Sequence, residues 1–448
     1  MFRRSIAGAA TPTCVRAGAY PGSVIVSTAR RYQRRGLPTR CENAPPMNLR
    51  RVSWTTRPDA WAMAFIVVIV LVANGPYLLD ITDPNPLGPR SQVATSEPAP
   101  VIGANTLDPT DGYITQALGH LAATDVLHGR LPWWNPYEGA GMPLVAEGQS
   151  AALFPPTLLL AIDNGQFWED LLLELVAGLS TFLVLRRLGS GRVASVAGGA
   201  GFALTGAFAW LATTSFNEIA FLPLLVLGIE HSFTAAAARR PGGWWLIAVA
   251  LALSLYAGFP ETAYIDGLVA LIWFAWRCVC SGRPLIRGFL IKGLSGACAG
   301  LMIAAPFIVS FAAALPHENI GFHNGNAGAL TMPEFAFPQL LLPYVYGPIA
   351  AFNDPQGVLG TVWGYAGGYV SIAVFFLAVL SLLSPRLRGL KLVLVAWLLL
   401  VICRVYGVPV IGHVLLLLPG GTSVAFYRYS FPAIAFALVV LGAFGIDD

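Results

Sequence analysis

The chain has 448 residues, of which 56% are hydrophobic and 11% charged, with a mean hydropathy of +0.65. A soluble domain carries about 25% charged residues, so this composition excludes an ordinary soluble protein and points to a polytopic membrane protein. The net charge of +4 comes largely from residues 1–57, where eleven arginines face the single acid Glu42, and it makes no case for a nucleic-acid partner.

Residues 1–57 lack an apolar core and read as a disordered basic tail on the cytoplasmic side. A transit peptide and translated sequence upstream of a start at Met47 are the other two readings. The Ala, Gly and Arg richness fits the tail and the upstream sequence better. Residues 58–448 read as one polytopic transmembrane domain, and because the chain stops at Asp448 directly after an apolar run, a C-terminal part is expected to be missing. The six cysteines, at 14, 41, 278, 280, 298 and 403, have the spacing of neither a disulfide framework nor a zinc site and are read as structural.

Hydropathy and length predict about ten spans: 60–79, 171–185, 193–213, 219–234, 244–258, 262–276, 289–314, 367–383, 391–406 and 430–446. The segment 151–162 is too short to cross, contains Pro155 and Pro156, and reads as a re-entrant or interfacial piece. On this topology only Arg90, Arg130, Arg404 and Arg428 of the 27 basic residues fall on one side. By the positive-inside rule the other side is cytoplasmic, which predicts a multi-pass protein of the inner (plasma) membrane with its N-terminus in the cytoplasm. The outer side then holds a first loop, Asp80–Asp170, with eleven carboxylates against two arginines, and a second, 315–365, without lysine or arginine.

Within the first outer loop, Ile114, Leu118, Leu121 and Leu127 recur at roughly helical spacing, predicting an amphipathic helix over 112–128 that lies on the membrane surface. Asp111 stands at its start, where it serves either as a helix cap or as a reactive carboxylate. WWNPYEGAGMP and the double proline follow. Together with FNEIAFLPLLVLGIEH (216–231), YAGFPETAY (256–264), APFIVSFAAALPHEN (305–319) and FYRYSFPAIAFAL (426–438), this loop resembles the bacterial YfhO-type membrane proteins, which are grouped with the GT-C class of membrane glycosyltransferases. The resemblance covers most of 60–446 and rests on short aromatic, Gly and Pro signatures.

The resemblance implies an all-α, GT-C-like fold and hexosyl or pentosyl transfer from a polyprenyl-phosphate-linked sugar to a glycan, glycolipid or protein acceptor on the outer face. It also implies a catalytic carboxylate in the first outer loop, for which Asp111 fits best, with Asp108 and Asp80 behind it. The chemistry is consistent. A sugar leaving on a lipid phosphate departs as a stable anion, so the pair of carboxyls used in ordinary glycoside cleavage reduces to one base for the acceptor hydroxyl. Guanidinium groups suit the phosphate, which nominates Arg428 first, then Arg404 and Arg130.

Carboxylates at outer span ends or in the second loop, Glu147, Glu218, Glu261 and Glu318, are either substrate contacts or solvated helix ends. Asp266 and Glu174 lie deeper in the spans and are expected to pair inside the bundle. Trp133 and Trp134 are candidates to stack on a sugar; Tyr137 and Trp363 read rather as part of an interfacial aromatic belt. His120, His128, His317 and His323 lack a metal-binding spacing, so no metal ligand is assigned and a divalent ion is left open. The competing class is a transporter or flippase of lipid-linked sugars, with the outer carboxylates as its vestibule.

Overall fold

The computed structural model describes residues 57–79, 81, 111–211, 214–317, 327–342, 345–347, 353–359 and 369–448. Residues 1–56 of the basic tail, Asp80, Asp108, Glu318, His323, Trp363 and other parts of the second outer loop lie outside the described residues.

Twelve longer helices carry the described chain: α1 Arg57–Ala73, α2 Ala117–Leu127, α3 Gly165–Arg187, α4 Arg192–Ala203, α5 Phe221–Ala237, α6 Trp245–Tyr256, α7 Pro260–Cys280, α8 Arg283–Ile303, α9 Ala305–Ala314, α10 Ile372–Ser381, α11 Arg388–Val405 and α12 Phe431–Asp447. Strand structure among the described residues is one two-residue antiparallel pair, β1 Trp134–Asn135 on β2 Met142–Pro143. The fold is therefore all-α, as composition and periodicity predict.

Among the described residues three helices are long and apolar enough to cross a membrane: α5 with its preceding turn, Asn217–Ala237; α7; and Pro284–Ile303 of α8. The predicted count of ten is not met on length and composition. The helices α4, α6 and α10 have 12, 12 and 10 residues, and α1 and α12 have 17 each. The 23-residue α3 carries Glu169, Asp170, Glu174, Arg186 and Arg187, and the 18-residue α11 carries Arg388, Lys391 and Arg404.

Two predicted spans are broken. The 289–314 run splits at Ala304 into α8 and α9 because Pro306 lacks an amide proton and its ring clashes with the preceding turn. The 193–213 run splits after Ala203, where Thr205 turns its hydroxyl onto the Phe202 carbonyl at 3.0 Å and a second short helix, Gly206–Leu211, begins.

The α5 helix is central, packed by α3, α6, α7 and α8. Its Leu222, Val226, Leu227 and Ile229 join Phe202, Trp273 and Phe436 in one large apolar core. Gly199 of α4 crosses α3 so closely that a Cβ there would stand 2.7 Å from the Gly178 carbonyl oxygen, which is why this stretch is built of glycine and alanine. Outer faces stay apolar: Trp61, Phe65 and Val72 on α1, Ile291, Leu294 and Met302 on α8, and Phe376 and Leu383 near α10 are all exposed. A soluble protein rarely leaves so much large apolar surface uncovered.

Helix termini meet in two groups. In the first, Asp59 at the start of α1 accepts from Arg186 and Arg192 at 3.2 and 2.9 Å. Nearby in the chain, Asp447 accepts from the Gly191 amide and from Arg386, and Lys391 donates to Asp448 at 2.5 Å. This group joins the start of α1, the α3–α4 turn, the α10–α11 turn and the end of α12. The second group comprises the segments before α5, α7 and α12.

Candidate functional site

The first outer loop enters the described region at Asp111, the first residue of a wide π-type turn, Asp111–Gln116, that runs into α2. The predicted helix is present as α2, and the face it turns to the rest of the protein is built of small residues. The covered face is Thr115, Gly119, Ala122 and Ala123, while Leu118 and Leu121 are half-buried and Leu127 is exposed. The physical reason is close packing: α2 lies on the 3₁₀ segment Pro155–Ala161, and a Cβ on Gly119 would meet Leu160 at 2.3 Å. The segment 151–162 thus forms the floor beneath α2, with Thr157 and Leu160 buried and His120 Nδ1 2.7 Å from the Leu160 carbonyl oxygen.

Past α2 the two tryptophans part. Trp133 lines a cavity of about 560 Å³ with Met142, Val145, Ala146, Ser310 and His317, between the loop and α9. Trp134, in β1, covers Gly141 instead. A smaller cavity of about 380 Å³ lies against α2, lined by His120, Thr124, Asn135, Tyr137 and Glu138. Arg130 stays on the surface, 62% exposed, in a fork to Asp125 Oδ1 at 2.7 and 2.9 Å, on the α2 side of the loop.

Four of the predicted residues, Glu147, Glu218, Glu261 and Arg428, meet at the second group of helix termini. Glu147 accepts from the Ser150 amide at 2.8 Å and opens a tight turn at Gly148. Gly148 has φ +87°, and a Cβ there would stand 2.8 Å from the Gly258 carbonyl oxygen, so the outer loop is seated directly on the α6–α7 turn. That turn is unwound: Gly258 has φ +108°, and Phe259 is extended before Pro260 starts α7. The freed Phe259 amide donates to Glu218 Oε1 at 2.5 Å. One turn on, Glu261 accepts from the Ala425 amide at 2.6 Å, and Tyr264 donates to the Pro419 carbonyl at 2.9 Å.

The Phe259 and Tyr429 rings pack at 4.7 Å, and the Arg428 guanidinium lies over the Tyr429 ring at 5.3 Å. Glu147, Glu218, Glu261 and Arg428 are thereby linked through Gly258, Phe259, Ala425 and Tyr429. Replacing Gly148 by alanine is expected to cost about 1–3 kcal/mol, from the strained φ and the backbone contact. Thermal unfolding in detergent reads this; an unchanged midpoint contradicts the seating of the loop on the turn.

Arg404 stands apart from this linkage. It is buried and donates through Nη2 to the Gly328 and Leu330 carbonyls, so its visible work is to clamp a loop to the end of α11. Of the two deeper carboxyls, Glu174 has a partner inside the bundle. Glu174 accepts from Asn74 Nδ2 at 2.6 Å, while Asp266 is buried with its Oδ2 lacking a hydrogen-bond partner. The side chain of Asp111 is outside the described atoms, so its relation to this cluster rests on chain position. Among the described residues no three His, Cys, Asp or Glu side chains gather as a metal cage.

Sequence reading missed three features. The Asn74 partner of Glu174 was hidden by a separation of 100 residues. The buried network of Glu230, Trp273 and Arg277 had a visible signal in two ionisable residues inside apolar runs. Phe259 was passed over although GFPET marks a helix start. Comparison of the chain with protein-family models, with curated proteins and with solved structures yields no match.

Proposed function

We propose that this chain is a membrane glycosyltransferase of the GT-C kind, related to the YfhO-type proteins, which moves a sugar from a polyprenyl-phosphate carrier to a cell-envelope acceptor on the extracytoplasmic face. In this reading the helices between the two groups of termini are ten crossings, the shorter ones being completed by their flanking turns. The observation that carries it is the joining of Glu147, Glu218, Glu261 and Arg428 at one group of termini, through Gly258, Phe259 and Tyr429. The opposite group holds Arg186, Arg192, Arg386 and Lys391, as the positive-inside rule asks of a cytoplasmic edge. Asp111 takes the acceptor proton, and Arg428 meets the charge that develops on the leaving phosphate.

The test is transfer of radiolabelled sugar from a defined polyprenyl-phosphate donor to envelope acceptors by the purified chain. Arg428→Lys keeps the charge but loses the planar fork, and is expected to lower the rate about 100-fold. A rate within about twofold of the wild type removes Arg428 from the site.

One observation favours a second reading. Glu174, Asp266 and Glu230 are buried within helices rather than gathered at a rim, as in carriers, where ionisable groups inside spans mark a path. Movement of a fluorescent lipid-linked sugar across vesicles, with no transfer to any acceptor, would replace the enzyme by a flippase.

A further inference from the structure

The turn joining α5 to α6 is built at a local cost that packing does not require. The α5 helix closes with the Arg239 amide donating to the Ala236 carbonyl at 3.0 Å and the Arg240 amide donating to the Ala235 carbonyl at 2.9 Å. In such a closure the first residue past the helix is left-handed and is usually glycine. Here it is Arg239, at φ +51°, and glycines follow only at 242 and 243, with φ +72° and +85°. The turn is fastened from two sides. Lys292 of α8 donates through Nζ to the Arg240 and Gly242 carbonyls at 2.8 and 2.5 Å, and Ser232 Oγ donates to the Gly243 carbonyl at 2.6 Å.

The side chains that this turn carries bury little. Arg239 and Arg240 are exposed, and Trp244 and Trp245, which follow them, are 38% and 47% exposed. Among the described residues neither arginine nor Lys292 forms a salt bridge. Between His231 and Lys292 the chain has only two acids: Glu261, which takes the Ala425 amide at the second group of helix termini, and Asp266, buried within α7. Glu230, just before this stretch, is taken up by Arg277 and Trp273. Lys292 keeps a third ammonium hydrogen beyond the two given to carbonyls. Cations without a counter-ion beside exposed indoles suit the edge of a bilayer, where tryptophan settles at headgroup level and anionic headgroups attract Lys and Arg. We infer that the α5–α6 turn binds the headgroup of an anionic phospholipid. Arg239, Arg240 and Lys292 meet its phosphate, and Trp244 and Trp245 lie against its glycerol and upper acyl chain. A free phosphate matches the charge but leaves the two indoles without a contact. The site goes beyond the sugar-transfer reading and needs only a bilayer.

The full chain, purified in a neutral detergent, is titrated with phosphatidylglycerol and with phosphatidylcholine of the same acyl chains, and bound lipid is counted by native mass spectrometry. Phosphatidylglycerol is expected to bind at least about tenfold more tightly. Arg239→Gly puts the favoured residue at the left-handed position, so the turn is kept while the charge is lost. This variant and Arg240→Gln are each expected to weaken phosphatidylglycerol binding about fivefold. Arg388→Gln, which removes an exposed arginine at the start of α11, is expected to leave it unchanged. Equal binding of the two lipids by the wild type overturns the inference. A loss in Arg388→Gln as large as that in Arg239→Gly overturns it as well, since the attraction is then spread over the surface. Displacement of phosphatidylglycerol by an equal concentration of inorganic phosphate also overturns it, the turn then being a site for the free anion. Should Arg240→Gln fail to fold, Arg239→Gly decides alone, and unchanged affinity in that variant rejects the site.

Discussion

Asp111→Asn is expected to lower sugar transfer by about 10²–10⁴-fold, the usual contribution of a positioned general base. The substitution separates two roles of one residue. Asn caps a helix as well as Asp does, so if Asp111 only starts the turn leading into α2, fold and rate both survive. A carboxylate that takes the acceptor proton has no substitute in an amide. The phosphate leaving group needs no acid, so no second carboxyl is available to compensate. The measurement is the initial transfer rate alongside donor-lipid binding. Lost transfer with intact binding is the expected pair of results, and unchanged transfer rejects Asp111 as the base.

The second large effect concerns stability. Glu230 and Arg277 form a buried pair at 2.5 Å, with a second contact at 2.7 Å and the Trp273 indole at 2.8 Å, and the guanidinium is held over the Phe233 and Trp276 rings. Removing one partner leaves the other charge buried and unpaired, a loss of about 3–5 kcal/mol. Arg277→Ala also forfeits the ring contacts. Glu230→Ala and Arg277→Ala are each expected to lower the unfolding midpoint strongly, whereas Glu230→Leu combined with Arg277→Met, which removes both charges and keeps the volume, recovers most of it. A double variant as unstable as the sum of the single losses would show that packing, not charge pairing, sets the cost.

Much of the architecture was legible because apolar periodicity survives without tertiary context. The runs around α3, α5, α7, α11 and α12 end within a few residues of the observed helices. The breaks at Ala304 and Thr205 were less legible: Pro306 sits inside an otherwise unbroken apolar run, and Thr205 acts through a local hydrogen bond. The helix of the first loop was legible, but the small-residue face it packs on the protein was not. Leucine counts overrule glycine and alanine in a hydrophobic pattern, yet α2 meets the Pro155–Ala161 floor through its small residues.

The cluster was legible in its parts only. Glu147, Glu218, Glu261 and Arg428 are marked by charge at predicted span ends, but their meeting depends on the unwound Gly258–Phe259 turn and on contacts across 41 and 164 residues. Charge position placed Glu174 inside the bundle without naming its partner. Helical phase and the Asn74 break, not depth in the span, decide whom Glu174 meets.

The central claim is that the surface bearing the outer loop faces away from the cytoplasm. Tyr137 is 83% exposed at the rim of the smaller cavity, so Tyr137→Cys in a cysteine-free background offers a thiol there. In intact spheroplasts a membrane-impermeant maleimide is predicted to label it fully, while a cysteine placed at Arg240, between α5 and α6, is labelled only after lysis. Labelling at position 137 that requires lysis would contradict the orientation, and with it the donor, the face and the mechanism.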